Sequence, residues 1–225
     1  SNINLQHWGD MAYIIFENYD TYDGFVVLHG TDTMAYSASM LSFMLKGLNK
    51  PVIFTGAQLP ISAMRSDARE NLMTSLEIAI SKANGKPIVP EVCIFFNHLL
   101  LRGNRAKKVQ SVNFDAFESE NYPPLAESGI VIDYNYSAIR PYEEGKKLRY
   151  VNKLDKSVMV LKLFPGITQQ VIHHSLSMEG LKGVVLETYG SGNSPSESWF
   201  IKEMEEAVDR GILILNVSQC NGGRV

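Results

Sequence analysis

Short apolar runs alternate with amphipathic stretches along the chain, which predicts an α/β fold: a largely parallel sheet with helices on both faces, followed by part of a second, smaller α/β domain. Three observations carry that expectation. The apolar runs are β-branched, aromatic and nearly continuous, as in parallel strands covered on both faces. The stretches between them repeat apolar residues at helical spacing. Small polar residues recur after the runs, at the strand ends where open α/β sheets bind ligands. A chain of 225 residues with 45% hydrophobic content supports one good core, or one domain and part of another. Its 10% aromatic content and lack of any biased tract argue against disorder.

Taken in order, His7 to Tyr19 places Trp8, Met11, Ile15 and Tyr19 on one helical stripe. The run Gly24 to Leu28 (GFVVL) reads as a strand. Thr33 to Leu48 then repeats Tyr36, Met40, Phe43, Met44 and Leu48 at helical spacing. Strands are expected at Pro51 to Thr55 and Glu91 to Phe96, with a helix at Arg69 to Ser81 between them. From Pro141 to Lys156 the sequence turns charged and loses periodicity, as a linker or a solvated hairpin does. Beyond it, strands at Val158 to Leu163, Gly183 to Leu186 and Gly211 to Val217 alternate with helices at Ile167 to Leu176 and Ser196 to Asp209. The last helix opens with Ser-Pro-Ser-Glu-Ser, a start signal. The expected organisation is therefore a domain over 1–140, a linker over 141–156 and an incomplete domain over 157–225.

Bulk properties remove several function classes. A net charge of −3 and a pI near 6 leave no electrostatic footprint for nucleic acid. No apolar run approaches the roughly 18 residues of a membrane helix. Cys93 and Cys220 both lie in apolar runs and read as buried free thiols, which fits a reducing compartment. The histidines at 7, 29, 98, 173 and 174 lack ligand-like spacing with Cys or acidic groups, so neither a metal nor another cofactor is expected, and His173-His174 reads as a helix-surface pair.

The polar segments at the strand ends carry the chemistry. The runs end in His29-Gly30-Thr31-Asp32-Thr33, in Thr55-Gly56-Ala57-Gln58, in Leu101 to Lys108, in Glu187 to Asn193 and in Ser218-Gln219-Cys220-Asn221. Thr31-Asp32 is the sharpest of these. Any of Thr31, Asp32 and Thr33 could cap the following helix. Capping needs one such side chain, however, and three in succession after Gly30 also fit a hydroxyl set beside a carboxylate, at a backbone free to approach a ligand.

Here the sequence resembles the L-asparaginase family, in its cytosolic (type I) branch. DGFVVLHGTDTMAYSASMLSFML, KPVIFTGAQLP and SDARENL carry the likeness, with HGTDT its most distinctive motif. It continues through FFNHLLLRGNRAKK, FDAFESENYPPLAESG, LFPGI and ETYGSGNSP, nearly the whole chain. The resemblance implies hydrolysis of L-asparagine to L-aspartate and ammonia without a cofactor, in the cytoplasm. It implies a homodimer or dimer of dimers, with Tyr189 to Asn193 near a subunit interface. The family's catalytic threonine, aspartate and lysine fall on Thr31, Asp32 and Lys108. Lys108 is preferred to Lys107 because the family lysine stands third after the arginine matched by Arg105. Asp32 would orient Lys108 or bind the substrate ammonium. Ser1 matches the end of a turn that grips the substrate α-carboxylate, and the Ala57 carbonyl matches one that meets the substrate amide; Gly30, Thr31 and Asp32 complete the expected binding set. Members of the family begin with a strand ending in a Thr-Gly-Gly-Thr turn that carries a second catalytic threonine. No such turn is found in this sequence, and a further glycine-rich stretch and helices are expected after Val225. The alternatives are a glutaminase or amidotransferase subunit of the same fold, or a non-catalytic interaction protein.

Overall fold

A computed structural model describes residues 2–223, and the chain divides into two compact units, 1–152 and 153–225. In the first unit, α1 (Leu5–Glu17) precedes β1 (Phe25–Leu28), α2 (Met34–Met44), β2 (Val52–Thr55), α3 (Ala68–Ile80) and β3 (Val92–Phe96). A turn at Asn97-His98 sends the chain back as β4 (Leu99–Arg102). A short ladder of β5 (Lys107–Lys108) with β6 (Phe117–Glu118) comes next, then β7 (Ala126–Ser128) and β8 (Ile132–Tyr134). β1, β2 and β3 pair in parallel, and β4, β7 and β8 extend the same six-stranded sheet antiparallel.

Both faces of β2 and β3 are covered, so their runs are buried and almost wholly apolar, whereas β1, at the end of the sheet order, is only half-buried and ends at the exposed Leu28. Ile53, Cys93 and Phe95 pack with Ile78 and Ala79 of α3. Val52, Phe54 and Ile94 alternate with them and are equally buried, on the face toward α2. The α2 stripe differs from the expected one. Met34, Ser37, Ala38, Leu41 and Met44 are buried, whereas Tyr36 and Phe43 are 69% and 60% exposed. On the buried side a small residue stands at Ala38, where the chain passes close at Gly103. α2 also ends before Leu48. Leu45-Lys46 turns extended to pair with Arg149-Tyr150, and Gly47 sits next at φ +83°, where a Cβ would lie 2.5 Å from the Lys147 carbonyl. α1 begins at Leu5, two residues before the expected start at His7, because the Asn4 side chain accepts from the Gln6 and His7 amides.

The charged stretch after Pro141 lies against the first unit as far as Tyr150. Asn49 exchanges hydrogen bonds with the backbone of Glu143, and the Tyr150 hydroxyl donates to the Gly9 carbonyl.

The second unit holds a parallel three-stranded sheet of β9 (Val158–Lys162), β10 (Gly183–Thr188) and β11 (Leu213–Ser218), with α4 (Gln169–Leu176) and α5 (Ser198–Asp209) between them. Leu161, Leu163, Ile172, Val184 and Phe200 form its core. The serine-rich opening of α5 does not cap it: Glu197 is the N-cap and makes no side-chain capping bond. His173 and His174 are both exposed on α4, as expected of a surface pair, and His173 Nδ1 lies 3.0 Å from Glu203 of α5, whose carboxylate also accepts from the Gln169 amide. Both cysteines are free, but only Cys93 is buried. Cys220 is exposed because β11 ends at Ser218 and the chain turns outward.

Candidate active site

The carboxyl ends of β1 and β2 define one edge of the first sheet. Leu28 registers with Thr55, and the His29 amide continues the ladder by donating to the Thr55 carbonyl at 2.9 Å. Gly56 is obligatory here, because a Cβ would stand 2.3 Å from the His29 carbonyl oxygen. Gly30 has no such constraint: a Cβ there would meet nothing within 4 Å.

A relay from α1 holds the Gly30 peptide. The Trp8 indole donates to Ser37 Oγ at 2.8 Å, Ser37 Oγ lies 2.9 Å from His29 Nε2, and His29 Nδ1 lies 2.7 Å from the Gly30 carbonyl. A carbonyl only accepts, so Nδ1 carries the hydrogen, and the Ser37 hydroxyl is placed to donate to Nε2. None of these links is visible in the sequence, since Trp8, His29 and Ser37 lie on separate elements.

Thr31 and Asp32 lead into α2, whose N-cap is Thr33 with no side-chain capping bond. Their side chains meet Lys108 instead. Lys108 Nζ donates to Thr31 Oγ1 and to Asp32 Oδ1, both at 2.8 Å. The Lys108 side chain is 17% exposed and that of Asp32 is 77% exposed, so the ion pair sits at the mouth of the site. Hydrogen bonding to Lys108, then its charge, lowers the Asp32 pKa below the ordinary carboxylate value. Asp32 and Lys108 line a cleft of about 710 Å³ with Tyr36, Ser39 and Ser111.

The route that delivers Lys108 corrects the sequence expectation, in which Leu101 to Lys108 comes directly after the third strand. The hairpin β3–β4 intervenes, and Arg102 registers with Cys93, near the amino end of β3. The chain must therefore run back along the sheet to reach Thr31. Gly103 makes this possible: its amide donates to the Val92 carbonyl, and a Cβ would lie 2.9 Å from that oxygen and 3.1 Å from the Ala38 carbonyl of α2. β5 then pairs with β6, which fixes Lys108 opposite Phe117. Adjacent strand residues face opposite ways, so Lys107 is exposed while Lys108 turns inward.

Ala57 lies in the turn after β2, half-buried. Ser1 falls outside the described residues. Among the described residues, no group of three His, Cys, Asp or Glu side chains is close enough to hold a metal ion, and no helix is long and apolar enough to cross a membrane.

A hydroxyl, a carboxylate and an ammonium group thus meet near the carboxyl edge of a parallel sheet, where open α/β folds bind ligands. The comparisons with known proteins give the family. Residues 1–140 match the family described as "Asparaginase, N-terminal", and residues 157–225 match the "Glutaminase/Asparaginase C-terminal domain"; the chain belongs to the asparaginase family. It is 43% identical to L-asparaginase 1 of Escherichia coli (strain K12) over 226 residues, covering 100% of this chain and 64% of that protein. It is 44% identical to the 60 kDa lysophospholipase of Homo sapiens, covering 100% of this chain and 38% of that protein. Among solved structures, L-asparaginase I from Vibrio cholerae matches with a TM-score of 0.89 at 40% identity, over 97% of this chain and 65% of that one. The chain thus spans less than two thirds of the length of each of these relatives.

Proposed function

We propose that the protein containing this chain hydrolyses L-asparagine to L-aspartate and ammonia, with Thr31, Asp32 and Lys108 as catalytic residues. The carrying observation is the single nitrogen of Lys108, shared by the Thr31 hydroxyl and the Asp32 carboxylate. A threonine hydroxyl is a weak nucleophile until a base takes its proton. In its deprotonated form, the Lys108 nitrogen accepts that proton over the existing 2.8 Å contact. The threonine oxygen, or a water activated through it, adds to the side-chain amide carbon. The carbon–nitrogen bond then breaks, the relayed proton leaves with ammonia, and water supplies the hydroxyl of the new carboxyl group. Asp32 holds Lys108 in place, and its exposed second oxygen is available to the substrate ammonium. Gly30 lines the binding site, and the Ala57 carbonyl receives a hydrogen bond from the leaving amide.

The same reading divides the chain into a catalytic domain over 1–140, a connecting segment over 141–156 and a second α/β domain over 157–225. It makes the protein a cytoplasmic homodimer or dimer of dimers, with the turn Tyr189 to Asn193 near the subunit interface. The test is ammonia release by the complete protein. Turnover of L-asparagine well above that of L-glutamine is the expected result; a preference for L-glutamine moves the assignment to a glutaminase.

A further inference from the structure

The turn that carries Ala57 is held in an unusual way. Asp67 is the N-cap of α3, yet it makes no side-chain capping bond to its own helix. Its carboxylate reaches back to the turn, accepting from the Gln58 amide at 3.1 and 3.0 Å and from the Leu59 amide at 3.2 Å. Asn71, one helical turn on and 1% exposed, lies on the same face. Its Nδ2 donates to the Gly56 carbonyl at 2.9 Å and to Asp67 at 3.2 Å, while its Oδ1 accepts from the Asn97 amide at 3.0 Å. The Gln58 side chain ties the same turn to the segment after Lys108, donating to the Asn113 and Ser111 carbonyls at 2.8 and 3.3 Å.

The Gly56 carbonyl and the Gln58 and Leu59 amides are therefore all fixed by two side chains of α3. Ala57, between them, makes no backbone hydrogen bond among the described residues. With the peptides on either side immobilised, the direction of the Ala57 carbonyl is set by Asp67 and Asn71. A buried asparagine and a carboxylate aimed at backbone amides are strong, directional constraints.

We infer that Asp67 and Asn71 are positioning residues that aim the Ala57 carbonyl at the leaving group, and so determine the preference for an amide over an ester of the same acid. The inference rests on the proposed asparagine hydrolysis. A carbonyl oxygen only accepts hydrogen bonds, so it recognises the N–H groups of a leaving amide and has nothing to offer a methoxy group. Asp67 and Asn71 act through Ala57 and need not touch the substrate.

The test compares L-asparagine with the β-methyl ester of L-aspartate as substrates of the complete protein, in the Asp67→Asn and Asn71→Asp variants. Asp67→Asn keeps the shape and weakens the grip on the two amides; Asn71→Asp keeps the acceptor for Asn97 but also sets a second carboxyl against Asp67, so Asp67→Asn is the deciding variant. Loss of one directional bond is expected to lower kcat/KM for the amide about 10-fold and to leave the ester within about 2-fold of the unaltered protein. Amide hydrogen exchange at Gln58 and Leu59 is expected to speed up in Asp67→Asn, whether or not the protein is active. Equal losses on both substrates, or unchanged exchange at those two amides, overturn the inference. Failure of the unaltered protein to release ammonia from L-asparagine overturns the proposed function instead, and the exchange measurement then decides the clamp by itself.

Discussion

Lys108 donates two hydrogen bonds from one nitrogen, so Thr31 and Asp32 are not independent of each other or of the lysine. If the three form one unit, their losses do not add. Thr31→Ala and Lys108→Met are each expected to lower kcat roughly 100-fold or more, and the double variant little further; a double variant slower by the product of the two separate effects contradicts a shared role. The exposure of Asp32 also bears on folding. An unpaired buried carboxylate is strongly destabilising, but Asp32 is 77% exposed and is solvated when Lys108 is removed. Lys108→Met is therefore expected to remain folded, which makes its kinetics interpretable. Acid pH tests the same pair. The Asp32 pKa is lowered in the folded protein, so its contact with Lys108 is complete above the ordinary carboxylate value of about 3.9 and is lost as pH falls below that value. Any acid limb of kcat that Asp32→Asn abolishes should lie below about pH 3.9; a limb at or above that value assigns the titration elsewhere.

The elements that build the site are unequally legible in the sequence. The central strands β2 and β3 are readable because burial on both faces makes their runs almost wholly apolar, and β1, β9 and β11 are readable from β-branched and apolar residues although much of their surface is exposed. β4 is not, because Leu99 to Leu101 continues the apolar character of β3 and only the Asn97-His98 turn, with Asn97 at φ +58°, divides them. Family likeness rather than topology places Lys108 beside Thr31, and the return path that delivers it depends on Gly103 and on the small residue Ala38. Tyr36 and Phe43 fit the helical period but not the burial, since period alone does not say which face meets the sheet. Asp67 and Asn71 carry a usable signal, two amide-binding side chains four residues apart at a helix start, within the SDARENL motif. The Asn4 cap of α1 escapes a reading by apolar stripe because the first stripe residue, Trp8, lies well inside the helix. Removing that cap in Asn4→Ala is expected to cost about 1 kcal/mol, read as a lower thermal midpoint of the complete protein. An unchanged midpoint means that docking, not capping, holds α1. The His29 relay depends on that docking through Trp8, so the same variant is a probe of whether α1 supports the Gly30 peptide.

At the scale of the whole molecule, the two units have separate sheets and separate cores. Each corresponds to one of the two family domains, and the chain spans 64% of the Escherichia coli relative. Sedimentation of the complete protein is expected to give a dimer or tetramer across its active concentration range; a stable, active monomer contradicts the proposed assembly. The most direct test of the central claim is asparagine turnover by the complete protein with Lys108→Met beside Lys107→Met. The two lysines are sequence neighbours on opposite faces of β5, so composition and net charge are matched, and Lys108 is the one that carries the contact with Thr31 and Asp32. Ammonia release from L-asparagine is expected to fall roughly 100-fold or more in Lys108→Met and to stay near normal in Lys107→Met. Near-normal turnover in Lys108→Met would show that this nitrogen does not move the proton, and that Thr31, Asp32 and Lys108 are not the catalytic unit.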